Sequence, residues 1–290
     1  MGWLNRIFIF LAFTSIVSSQ ENLESLLDPV TENYSVTSTF MSTRIINGHS
    51  IEMFAAGALD VRISHRFGAL NTGFYELFGL DQATIRIGLE YGLSNNIMLG
   101  LGRSSYRKNY DGFFKYSILR QRKKQKMPIS VVYFSSFSIQ SMRENQENYP
   151  FSGRVSYCNQ LLIASKLSQK LSIQLMPTFI HRNMVQSPYF FNDVYLLGSA
   201  LKYNITKSTS LNLEYYYRIT EKDGVLIDQN QFFNSFSVGF DIETGGHVFQ
   251  LHITNSLPMY EVGFLTETVQ SWSNGGIHFG FNISRAFTLR

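Results

Sequence analysis

The sequence has little of what usually holds an exported chain together. Its 290 residues contain one cysteine, Cys158, so no intramolecular disulfide framework exists. Six prolines, and no Pro/Gly/Ser-rich stretch, leave no linker at which a second domain would begin. No segment supplies the roughly 18 consecutive apolar residues that a membrane helix needs. No repeat of fixed period is present. The formal charge of +4 is small and dispersed, which argues against a nucleic-acid partner.

What is there begins with an export signal. Arg6 precedes the apolar run Ile7–Ile16, and the small residues Ser18 and Ser19 follow before Gln20. Residues 1–19 therefore read as a signal peptide cleaved near Ser19. Residues 20–56 read as an N-terminal periplasmic lead, with a strand-like piece over Tyr34–Ile46. Residues 57–290 read as one all-β domain.

The clearest pattern is Ala83–Ser104. Ile85, Ile87, Leu89, Tyr91 and Leu93 alternate with Thr84, Arg86, Gly88, Glu90 and Gly92. A turn at Ser94-Asn95-Asn96 follows, then Ile97, Leu99 and Leu101 alternate with Met98, Gly100 and Gly102. This is a β-hairpin with one apolar face and one face of charge and glycine. In a soluble sandwich the apolar face would turn inward; in a membrane barrel it turns out to lipid.

Twelve such segments are expected: 57–67, 83–93, 97–104, 112–120, 128–139, 153–165, 170–180, 194–205, 210–220, 232–242, 247–254 and 276–289. Their connections alternate between short and long, as the periplasmic turns and extracellular loops of outer-membrane barrels do. The expected fold is an antiparallel up-and-down transmembrane β-barrel of about 12 strands, with both ends in the periplasm. The count rises to fourteen if Tyr34–Ile46 and part of Asn255–Gly275 join the wall. Aromatics make up 15% of the chain, which suits interfacial girdles. His65 and Arg285 fall on the lipid face, but at the two rims, where a charge costs only about 0–1 kcal/mol.

At DVRISHRFG (Asp60–Gly68), ATIRIGLEYGL (Ala83–Leu93), GRSSY (Gly102–Tyr106), YDGFFKY (Tyr110–Tyr116), HVFQLHITNS (His247–Ser256) and IHFGFNISRAF (Ile277–Phe287), the chain resembles a known group. These are uncharacterised outer-membrane β-barrel proteins of Gram-negative bacteria, grouped as a domain of unknown function. The resemblance runs from about Ser42 to the end. It implies the architecture and the outer-membrane location. It brings no activity and no catalytic residues.

The candidate lumen-lining residues are Asp60, Arg62, Arg66, Arg86, Glu90, Glu214, Arg218, His252 and His278. Such charges form either a constriction that selects solutes or an internal ion-pair network. Their mixed signs favour the network. His252 and His278 face inward on neighbouring strands, yet no further ligand completes a metal set, so no metal or cofactor is expected. Serines such as Ser64, Ser237 and Ser284 also face inward, without a nucleophile-elbow motif.

Two long loops are too apolar to lie free in water: Gly68–Gln82, with Phe74, Tyr75 and Phe78, and Asn255–Gly275, with Met259, Phe264 and Trp272. Both are expected to fold into the barrel mouth and narrow or plug it. The leading function is a narrow or loop-plugged pore, or a barrel that binds and takes up a small solute. The alternative is a scaffold barrel that docks a periplasmic or surface partner, and a third is a membrane-embedded hydrolase. Expected partners are outer-membrane lipid, lipopolysaccharide and the barrel assembly machinery, which reads an aromatic-rich last strand ending near Phe287.

Overall fold

The computed structural model describes residues 38–122, 127–142, 150–185, 191–219 and 232–289. The proposed signal peptide, most of the lead before Ser38, and Lys123–Lys126 of the basic turn RQRKKQK lie outside these residues.

Twelve strands run in chain order: β1 (Ala58–Ala69), β2 (Ala83–Ser94), β3 (Ile97–Ser104), β4 (Asn109–Leu119), β5 (Ser130–Gln140), β6 (Val155–Lys166), β7 (Leu171–Arg182), β8 (Asp193–Asn204), β9 (Thr209–Arg218), β10 (Phe236–Thr244), β11 (His247–Thr254) and β12 (His278–Thr288). Each pairs antiparallel with its neighbour in sequence, and β1 pairs with β12 to close the barrel. Closure leaves no free edge, so every strand finds its hydrogen-bond partners within the wall. The fourteen-strand alternative does not occur. Residues 38–46 form no strand in the wall, and the chain from Asn255 to Ile277 contains a short helix, α1 (Glu261–Thr266).

The hairpin at Ala83–Ser104 sets the pattern. Leu89 pairs with Val61 on one side and with Leu101 on the other, and all three face outward. Arg86 and Glu90, one pleat away, are buried inside. The β2–β3 and β10–β11 connections are the tightest turns, two residues each. Gly245 and Gly246 have φ of 55° and 86°, as a two-residue type I′ hairpin requires. Connections at this turn end are mostly short, and those at the opposite loop end mostly long. The ten residues of 120–129 are the exception at the turn end.

The barrel interior is full. Across β5–β9 an apolar cluster faces inward: Val132, Phe134, Cys158, Leu162, Met176, Ile180, Val194, Leu196 and Tyr216 are all buried, beside polar inward residues such as Gln160, Gln174 and Glu214. At these positions the strands are apolar on both faces, because the inner one meets a packed core. The opposite half of the wall turns charge and amide inward from β1, β2, β4 and β9–β12.

Two segments of the same chain fill the space between. Residues 38–56 enter from the turn end and fold back at Arg44–His49, where a single bridge joins the two residues. The expectation of a periplasmic lead therefore fails for residues 38–56. Phe40, Ile45 and Ile46 pack on the apolar half of the lumen, so the segment buries side chains that a free lead would leave in water. Each such burial is worth about 1.5–3 kcal/mol. From the loop end, Leu257–Thr268 descends into the barrel and carries α1, all six residues of which are buried.

Candidate functional site

The lumen is the candidate site, and its chemistry follows from what each inward side chain meets. Glu214 on β9 is 1% exposed. Its carboxylate accepts three successive backbone N–H groups, from Ile46 (3.2 Å), Asn47 (3.3 Å) and Gly48 (3.0 Å). The tight turn at Ile45–Gly48, closed by a 2.8 Å hydrogen bond from Ile45 N to the Gly48 carbonyl, aims these donors at one anion. Gly48 allows the approach: a Cβ there would overlap the Tyr216 hydroxyl oxygen.

The other wall residues engage the same segment. Lys115 Nζ donates to the carbonyls of Thr43, Ser50 and Glu52 at 2.9–3.1 Å. Gln250 Nε2 donates to the carbonyls of Arg44 and Ile45, and Asn282 Nδ2 to that of Ile46. Gln174 accepts from Ile51 N and donates to the His49 carbonyl. Arg66 Nη2 donates to Asn47 Oδ1, and Asn47 Nδ2 donates to Ser237 Oγ at 2.8 Å.

The expected wall network exists in part. Arg86 forms a two-point pair with Asp111. Arg62 stands 3.6 Å from both Asp60 and Glu90. Its hydrogen bonds go to Ser42 and Thr43 of the inserted segment at 3.0 and 2.9 Å, and to Gln250 of the wall at 3.4 Å. Glu90 accepts from Thr43 Oγ1 at 2.6 Å. Glu214, Arg66 and Arg218 serve the inserts rather than one another. Arg218 donates to the carbonyls of Leu265 and Thr266 at the C-terminal end of α1, where a cation is favoured.

His252 and His278 face inward and are each 3% exposed. His278 Nδ1 lies 2.9 Å from the Phe67 carbonyl. Among the described residues no group of three or more His, Cys, Asp or Glu is placed to hold a metal.

The two apolar loops part company. Met259 and Phe264 are buried inside the barrel, and Trp272 is half-buried at the rim with Nε1 donating to the Phe236 carbonyl at 3.0 Å. The loop over Gly68–Gln82 stays out, contrary to expectation: Phe74 is 81% and Tyr75 94% exposed, and Phe78 is exposed too. Leu77 and Phe78 adopt left-handed backbone, which curls the loop on itself, and Phe78 N reaches the Gly73 carbonyl at 2.8 Å. The space it would have filled holds α1 and residues 38–56.

At the loop end Arg107 meets Glu267 at 3.0 Å. Burial still holds the Glu267 carboxyl above its ordinary range, against the pull of Arg107.

A family of membrane-bound β-barrel domains, DUF5777, matches residues 40–287. The chain belongs to that family. The match begins at Phe40, so the family's domain takes in the inserted segment together with the wall. No curated protein matches the chain.

Among solved structures, the NanC porin has a TM-score of 0.48 at 10% identity, covering 80% of this chain and 100% of its own. The KdgM porin has 0.47 at 11% identity, covering 79% and 99%. An outer-membrane channel from Pseudomonas putida F1 has 0.46 at 12% identity, covering 81% and 97%.

Sequence reasoning missed Arg44, Asn47, His49, Lys115, Asp111, Gln250 and Glu261. The signal for three of them was present: Gln250 shares the parity of His252 on β11. Asp111 and Lys115 share the parity of Phe113 in YDGFFKY, and all three are buried inside. Nothing in SVTSTFMSTRIINGHS distinguishes a lumen insert from a strand or a lead.

Proposed function

We propose that this family member is an outer-membrane channel for small solutes, shut in the present conformation by its two inserts, of which residues 38–56 form the one that withdraws. One observation carries the reading. The segment adds no strand to the wall, and on the polar half of the lumen it is held through hydrogen bonds from polar side chains. Water replaces such bonds at little cost once a segment withdraws, because the exchanged partners are equivalent. Half of the wall left behind, with Arg62, Arg66, Glu90, Lys115 and Glu214, is wettable.

A scaffold barrel with a permanently filled interior is the second reading. It is favoured by the apolar half, where Phe40, Ile45 and Phe264 pack against the wall. The hydrolase reading gains nothing from Ser237, whose hydroxyl is shared with Thr254 and Asn47.

Conductance in a planar bilayer separates the first two. The refolded chain is expected to be mostly silent, and Gly48→Leu, which drives the turn off Tyr216, to give stable steps. If both are silent while heat-modifiable gel mobility reports a folded barrel, the interior is fixed and the scaffold reading stands.

A further inference from the structure

Alongside its side-chain contacts, the inserted segment is gripped along its backbone. Eleven backbone groups between Thr43 and Glu52 are hydrogen-bonded by only five wall side chains, Lys115, Gln174, Glu214, Gln250 and Asn282. Four of these groups are N–H donors and seven are carbonyls. A buried segment must find partners for its backbone somewhere. Segments that fold by themselves find them in their own strand or helix. This one bonds a few of its own groups, Ile45 N to the Gly48 carbonyl and Ser50 N to the Thr43 carbonyl among them, and turns the eleven above to the wall.

From this we infer that the lumen is a binding site for short peptides, which compete with residues 43–52 for the same wall groups. The inference rests on the channel reading above and names the solute class. Glu214 is the donor-reading group, since a fixed carboxylate takes successive N–H groups as charge-assisted bonds. Lys115, Gln250 and Asn282 are the carbonyl-reading groups. Such a site does not distinguish the chain's own backbone from any other. Specificity is left to the side chains that meet Asn47 and Thr43, namely Arg66, Ser237, Arg62 and Glu90.

The test uses the full chain carrying Gly48→Leu, with Ile45→Ser as a second plug-loosening variant should the first not fold. The probe is neutral tetra-alanine, acetylated and amidated at its ends. The comparator is the same peptide with every alanine nitrogen methylated, which keeps the carbonyls and removes those N–H donors. Tetra-alanine is expected to block the open current, and the methylated form to leave it unchanged. Adding Glu214→Ala is expected to raise the blocking concentration by about tenfold or more, as the loss of bonds to a charged group implies.

If the channels open but the two peptides act alike, the peptide site is wrong and the channel reading stands. If folded variants never conduct, the channel reading fails, and calorimetric titration of the same variants still decides the site. Heat with tetra-alanine and none with the methylated form upholds it, and equal or absent heats overturn it.

Discussion

Arg44 Nη1 stands 3.0 Å from Glu261 Oε1, deep in the lumen, with both side chains almost fully buried. Arg44 belongs to the segment that enters from the turn end, and Glu261 opens α1, which enters from the loop end. The pair is therefore the point at which the two inserts meet. His49 Nε2 lies 3.3 Å from the same carboxylate oxygen, and Arg44 Nε lies 3.6 Å from Glu90. One salt bridge thus links both inserts to the wall.

Breaking that link from one side should be worse than removing it. Glu261→Ala leaves Arg44 buried beside a neutral cavity, a change that costs about 3–5 kcal/mol in comparable buried pairs. Arg44→Leu with Glu261→Leu replaces both charges by apolar volume and should cost less than either alanine single. The midpoint of heat-modifiable gel mobility measures both. A double variant less stable than Glu261→Ala would mean that the pair acts chiefly through Glu90 and His49.

Gly48 should act as a latch whose strength depends on Tyr216. A methyl group at position 48 overlaps the Tyr216 hydroxyl oxygen, whereas the ring carbon behind it stands at 3.1 Å. Gly48→Ala alone is expected to loosen the segment and raise the frequency of conducting steps. Adding Tyr216→Phe removes the obstructing oxygen and should return the channel towards silence. Equal conductance of the single and double variants would locate the strain elsewhere.

Glu267 gives a pH dependence whose sign follows from its burial. Its folded-state pKa is raised by burial, so folding favours the protonated carboxyl even with Arg107 3.0 Å away. The group's contribution is fully present below the unfolded pKa, about 4.3, and is lost as pH rises through the folded value. Glu267→Gln should therefore match the parent at low pH and gain on it as pH rises through that window. Thermal midpoints of the two proteins across the carboxylate range test this, and a variant that falls behind as pH rises would show that the Arg107 pair outweighs the burial.

The wall was readable because its period is simple. Residues such as Leu89, Leu101 and Phe281 alternate with Arg86, Glu90 and Asn282, and a period of two fixes both the strand and its facing. All twelve strands lie within four residues of where the alternation puts them. The inserts were not readable, because they have no period. Residues 38–56 take their backbone partners from side chains up to 236 positions away, as Ile46 does from Asn282. The loop over 255–275 announced itself by apolar content, but so did the loop over 68–82, which stays outside. Their composition is alike, and what separates them is the left-handed backbone at Leu77 and Phe78, which composition does not encode.

The lipid-facing surface itself is open to a direct test. Leu89 lies mid-strand with its side chain 48% exposed on the outer face, and Phe287, 41% exposed, lies near the turn-end rim, beside Arg285. In a bilayer an arginine at the midplane costs about 2–4 kcal/mol and one near the interface about 0–1. Leu89→Arg should therefore lower the unfolding free energy in vesicles by that larger amount, and Phe287→Arg by little. In detergent micelles, which wet the belt and adapt their shape, the gap between the two should shrink. Equal costs for both variants in vesicles would mean that Leu89 does not face the hydrocarbon, and would undo the assignment of this face to lipid.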